Sequence, residues 1–190
     1  MVTIADATTT VPAATIALAV PLAGVADAGQ SVASPDLARA GGDSLAQFYN
    51  GIGAGHGVSG TPLHLTALGH SYGSVTTGYA LGHDTPVDDA VLFGSPGQGA
   101  DHLNVPQGHV YTEMDRADLV PQANGTLGPS PYSSSAGYDK LSTEASNTDL
   151  GPMAATSGHT EYLDQKSTSL YNMAAIVTGN NGLAVPQGRR

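Results

Sequence analysis

The chain has no cysteine in its 190 residues. That excludes disulfides, cysteine nucleophiles and thiolate metal sites, and it is neutral as to compartment. Positive charge is also scarce. Six Lys and Arg stand against 16 Asp and Glu, for a formal net charge of -10. Phosphate contacts are made by Lys and Arg, so nucleic acid is not expected as a partner. Long apolar runs are missing as well. The opening MVTIADATTTVPAATIALAVPLAG is apolar only near residues 13–25 and is interrupted by proline, short of the roughly 20 apolar residues that span a bilayer. It has no basic leading segment and carries Asp6, so it does not read as a signal peptide. A soluble, cytoplasmic protein is the expectation, with secretion left open. Finally, Leu, Ile, Val and Phe together make up 37 of 190 residues, near the composition at which chains stop folding. They are clustered rather than scattered, which predicts a small core of a few strands with long polar loops around it.

At this length one domain is expected, bounded as 14–180, with tails at 1–13 and 181–190. Residues 14–20 (ATIALAV) read as a short buried strand ending at Pro21. Ser34-Pro35-Asp36 reads as a helix start, with Ser34 as cap and Pro35 at the first helical position. The helix places Leu37, Leu45, Phe48 and Ile52 at helical spacing, contains Gly41-Gly42, and is predicted to end in the glycines from Gly51 to Gly57. Leu63 to Leu68 predicts a strand, followed by a helix to about Leu81. DDAVLFGSPG (88–97) is a continuous apolar run between an acidic start and a Gly-Ser-Pro-Gly stop, as in a strand buried on both faces of a parallel sheet. A third strand is expected at His109 to Glu113, and residues 122–158 read as a long irregular excursion. STSLYNMAAIVTGN (167–180) predicts a capped helix with Leu170, Met173, Ala174 and Val177 on one face. Strands alternating with helices predict an α/β fold with a parallel sheet and right-handed crossovers, whose functional groups gather at the carboxyl ends of the strands.

One such end carries Gly69-His70-Ser71-Tyr72-Gly73, between a strand and a helix. A serine hydroxyl is a poor nucleophile until a histidine takes its proton and a carboxylate holds that histidine in the right tautomer. In hydrolases of this architecture the three follow in the order Ser, Asp/Glu, His. Ser71, Asp118 and His159 supply that order, 47 and 41 residues apart. Asp115 is the rival acid. The flanking glycines allow a tight turn around a strained serine, and the Tyr72 amide, at the helix start, is expected to face a developing oxyanion. His70 is expected to pack beside the nucleophile rather than take its proton. His64, His83, His102 and His109 show no metal-ligand spacing and read as surface or structural. Asp84, Asp88 and Asp89 read as a solvated loop before a strand rather than a cation site, and Ser133-Ser134-Ser135 as loop. No metal and no cofactor is called for.

The elbow GHSYGS, the segment SPDLARAGGDSLAQFYNGI, the strand VLFGSPG, the loop DLVP and the closing GHTEYLDQKSTSLYNMAAIV together resemble an uncharacterised actinobacterial α/β-hydrolase family over roughly residues 14–180. The DLVP and GHTEY pieces are similar to the equivalent loops of cutinase-like esterases. The resemblance implies an α/β-hydrolase fold with Ser71 as nucleophile, Asp118 as orienting acid and His159 as base, acting on a small-molecule acyl substrate that it does not name. Members of that family carry earlier strands and a Pro-Gly-x-Gly loop that supplies a second oxyanion donor. Neither is found here, so the resemblance implies a domain truncated at its N-terminal side. Loss of one such donor costs on the order of 10²–10³ in rate. The main expectation is a serine hydrolase cleaving an ester or related acyl bond. The alternative is a catalytically silent fragment serving as a binding or assembly module, and an uncovered sheet edge would favour a homo-oligomer.

Overall fold

In a computed structural model, residues 13–18, 34–59, 63–122 and 127–188 are described, the first group by backbone only. The elements run β1 (Ala13–Leu18), α1 (Pro35–Ser59), β2 (His64–His70), α2 (Tyr72–Leu81), β3 (Asp89–Phe93), β4 (Val110–Glu113), β5 (Asp139–Leu141), β6 (Ser146–Thr148), β7 (Gly151–Met153) and α3 (Thr168–Val177). Strands β1 to β5 form one sheet in chain order, and every pair is parallel. This is the expected α/β architecture. Chain order with right-handed crossovers puts consecutive helices on one face, and α1 and α2 do pack together there.

Strand alternation sorts the core into two halves. Leu65 and Ala67 of β2, Ala90 and Leu92 of β3 and Val110 of β4 meet Leu45, Ala46 and Tyr49 of α1 and Ala80 and Leu81 of α2. The opposite face of the same strands presents Leu68, Val91, Phe93 and Tyr111 to Met173 and Ile176 of α3. Strand β3 is buried along its whole length, which explains why it reads as an unbroken apolar run.

Four expectations are corrected. Helix α1 continues through Gly51, Gly53, Gly55 and Gly57 to Ser59. Tertiary contact holds its end in place: Gly53 abuts Pro86, and the Asn50 side chain donates to the Asp84 carbonyl. Phe48 faces outward at 54% exposure, and the inward stripe is Ala38, Leu45, Ala46 and Tyr49. The stretch 122–158 contains a sheet strand, β5, and an antiparallel hairpin, β6–β7. Strand β5 is three residues long with only Leu141 buried, too short and too polar to show a period. In α3 the buried residues include Tyr171, Asn172, Met173 and Ile176, while Leu170, Ala174 and Val177 are half-buried. The polar Asn172 is drawn inward by the Ser142 carbonyl, 3.0 Å away.

The expected end of the first strand near Pro21 lies outside the described residues. In the region read as a C-terminal tail, Ser142 N–H donates to Val185 O and Gln187 N–H to Lys140 O, so this stretch lies along the outer edge of β5. No helix of the described residues is long and apolar enough to cross a membrane.

Candidate active site

Strand β2 ends at His70 and α2 begins at Tyr72, which leaves Ser71 alone to make the turn. Its backbone sits at φ 53 and ψ -132, a region an L residue with a side chain rarely adopts, and one that stores strain at functional positions. Two peptide hydrogen bonds hold it there. Ser71 N–H donates to Phe93 O on the neighbouring strand, and Ser74 N–H donates to Ser71 O, both at 3.0 Å. Gly69 is needed because a Cβ there would stand 2.8 Å from the Ser74 Cα. The serine is thus lifted above the carboxyl end of the sheet. Beside it, the Tyr72 N–H is the first of α2 and has no acceptor within its own helix, at the positive end of the helix dipole.

His159 reaches this serine from a loop between β7 and α3. Its Nε2 lies 2.7 Å from Ser71 Oγ, and its Nδ1 lies 2.8 and 3.0 Å from the two carboxylate oxygens of Asp118. An ionised carboxylate only accepts, so Nδ1 carries the proton, Nε2 is the acceptor, and the serine hydroxyl donates to it. Asp118 is fully buried and His159 is 28% exposed. Two further donors satisfy the carboxylate: Val120 N–H at 2.9 Å on Oδ1 and the Tyr162 hydroxyl at 2.9 Å on Oδ2.

The rival acid faces elsewhere. Asp115 Oδ1 accepts from Ala117 N–H at 3.0 Å and from Gly158 N–H at 2.8 Å. It ties the histidine loop to the aspartate loop and does not touch the imidazole. His70 packs against the His159 ring with centroids 4.7 Å apart and stacks on Phe93 at 5.0 Å. Its Nε2–H donates to the His159 carbonyl at 2.8 Å, so it buttresses the loop. Burial lowers the His70 pKa, and the hydrogen bond to His159 only partly offsets this.

Two residues of the site carry no sequence signal strong enough to single them out. Gly94, from VLFGSPG, has φ +56, and a Cβ on it would lie 3.0 Å from Asp118 Oδ2, 3.1 Å from Tyr162 Cε2 and 3.2 Å from His159 Cε1. Tyr162, from GHTEY, is 1% exposed and contacts both the acid and its loop.

Other histidines and acids of the described residues pair elsewhere. His64 and His109 flank Asp89 at the opposite end of the sheet, at 3.0 and 2.9 Å. Asp89 is fully buried, which corrects its reading as part of a solvated loop. His83 pairs with Asp43 at the surface. Ser133 caps a short 3-10 turn at Ser134–Ala136. Among the described residues, no group of three or more His, Asp or Glu is placed to hold a metal ion.

A family model described as "Alpha/beta hydrolase" matches residues 2–129. The chain belongs to the alpha/beta hydrolase family. The matched stretch takes in β1 through β4 and Asp118. An uncharacterized protein of Mycobacterium tuberculosis, Rv2079, is 31% identical over 186 residues, covering 83% of this chain and 27% of its own length. Two others, Rv0963c of the same species and Mb0988c of Mycobacterium bovis, are 38% identical over 115 residues, covering 57% of this chain and 41% of theirs. The chain therefore spans between about a quarter and two fifths of the curated relatives it matches. No solved structure matches it.

Proposed function

We propose that this hydrolase cleaves an ester or related acyl bond through an acyl-enzyme. Ser71 Oγ attacks the carbonyl carbon as its proton passes to His159 Nε2. Asp118 holds the imidazole by Nδ1 and stabilises the imidazolium that forms. The tetrahedral oxyanion is met by the Tyr72 N–H. Its collapse expels the alcohol, which takes the proton from His159. Water, activated by the same imidazole, then attacks the acyl-Ser71 ester and releases the acid. A second oxyanion donor comes in such enzymes from the loop after the strand beside the elbow strand. Here that strand is β1, whose last residue Leu18 pairs with Gly69. The connection that follows it lies outside the described residues.

The observation that carries the reading is the continuous chain from a strained Ser71 through His159 to a buried Asp118, with hydrogen bonds of 2.7 and 2.8 Å. The test is labelling of the purified protein with a fluorophosphonate probe, alongside turnover of short-chain nitrophenyl esters. Wild type is expected to label on Ser71 and turn over ester, and Ser71→Ala to do neither. An unlabelled wild type, or equal labelling of Ser71→Ala, overturns the reading.

A further inference from the structure

Tyr162 sits three residues beyond His159 with its ring inside the protein. The ring packs at a tilt against the stacked pair of Phe93, at a centroid distance of 5.6 Å, and His70, at 5.8 Å. Its hydroxyl oxygen accepts the Asp115 N–H at 2.9 Å and lies 2.9 Å from Asp118 Oδ2. A phenol has one proton, and a peptide N–H can only donate. With the Asp115 amide on its oxygen, the hydroxyl directs its proton at the carboxylate. The same two loops are tied a second time by Gly158 N–H on Asp115 Oδ1.

We propose that Tyr162 is a positioning residue for the acyl-transfer reaction, one that sets both the orientation of the Asp118 carboxylate and the basicity of His159. This rests on the serine-hydrolase reading given above. The oxygen that receives the Tyr162 proton is also the nearer acceptor of His159 Nδ1–H. Donation from the phenol fixes the carboxylate in line with the ring. It also draws charge from that oxygen, and the O–H dipole turns its positive end towards the imidazole. Both effects lower the affinity of His159 for a second proton. Burial pushes the Tyr162 pKa far up, so the phenol stays a donor throughout any working pH. The titratable groups facing this set are His70 from the elbow, Asp115 from the aspartate loop, and Tyr132, whose hydroxyl donates to the Glu113 carbonyl.

Tyr162→Phe removes the proton and keeps the ring. The expected result is a fall in kcat on the order of 10-fold, as for loss of one charge-assisted hydrogen bond, with KM little changed. The acid limb of the kcat/KM profile is expected to move to higher pH, because His159 holds its second proton more tightly. The downfield proton resonance of His159 Nδ1–H should shift with it. Loss of packing alone would lower the folded fraction without moving the limb or the resonance. A folded Tyr162→Phe with the wild-type limb and an unmoved resonance overturns the proposal. If that variant does not fold, 3-fluorotyrosine at position 162 keeps the shape and makes a stronger donor. The limb is then expected to move to lower pH, and an unmoved limb overturns the proposal. Should wild type fail to label with fluorophosphonate, the resonance still separates the two ideas. A shift in Tyr162→Phe would support the Tyr–Asp–His coupling while the enzymatic reading falls, and no shift would sink both.

Discussion

Gly94 holds a crowded position in the site, because three of the groups around it would meet any side chain placed there. Its φ of +56 already disfavours one, and a Cβ would press within 3.0–3.2 Å of Asp118, Tyr162 and His159 at once. Gly94→Ala is therefore expected to cost about 1–3 kcal/mol in strain and to reduce kcat by more than it reduces the folded fraction. Thermal melting and ester turnover on the same sample would separate the two. Ser71, His159 and a short list of acids were readable in the sequence as candidates for the proposed triad, since the chain order Ser, Asp/Glu, His goes with this family and the turn around Ser71 calls for glycines. Asp115 and Asp118 could not be told apart, being three residues apart on one loop. Which of them turns to the imidazole is decided by the Val120 N–H and by Tyr162, the latter 44 residues away. Gly94 and Tyr162 act through contacts of that kind, so nothing local marks them.

Helix α1 shows the same division between local and distant causes. Its cap and first turn follow from Ser34-Pro35-Asp36, with Asp36 N–H donating to Ser34 Oγ at 3.3 Å. Its length does not follow from local rules, since glycines weaken a helix interior by about 0.5–1 kcal/mol each. Those glycines are not equivalent. A Cβ at Gly42 would stand 2.5 Å from Tyr79 Cβ and 3.0 Å from Ala80 N, whereas at Gly51 and Gly55 it would meet nothing within 4 Å. The first lets α1 and α2 approach closely, and the other two face open space. Gly42→Ala is expected to destabilise the protein by about 1–3 kcal/mol through overpacking. Gly51→Ala and Gly55→Ala should each stabilise it by about 0.5–1 kcal/mol. Urea denaturation of the three variants, compared by midpoint at constant slope, checks the opposite signs. Among the strands, β2 to β4 were legible from apolar content, whereas β5, with Asp139 and Lys140 exposed, belongs to the sheet only through its pairing with β4.

At the scale of the whole molecule, the sheet carries apolar layers on both faces and a buried acid at each end of its strands. Asp89, at the amino end, has His64 and His109 beside it. Glu113, at the carboxyl end of β4, has no cation among the described residues. It is fully buried, accepts a 3.3 Å hydrogen bond from the Asn172 side chain, and has its Oε2 without a partner. Burial raises its pKa well above 4.5, against smaller opposing hydrogen bonds from Asn172 and Ser169. The folded state then binds a proton that the unfolded state has released, so the stability tied to this group has a definite sign. It is fully present below the unfolded pKa near 4.5 and is lost as pH rises through the higher folded value. Over that window the loss approaches about 1.4 kcal/mol per pH unit. Glu113→Gln keeps the shape and cannot ionise. Subtracting its unfolding free energy from that of wild type cancels the self-repulsion of a chain of net charge -10. The difference is expected to move steadily against wild type from about pH 4.5 upwards and to level off only once Glu113 ionises in the folded state. Urea titrations of both proteins at several pH values measure it, and a difference independent of pH would mean that Glu113 is already ionised where it sits.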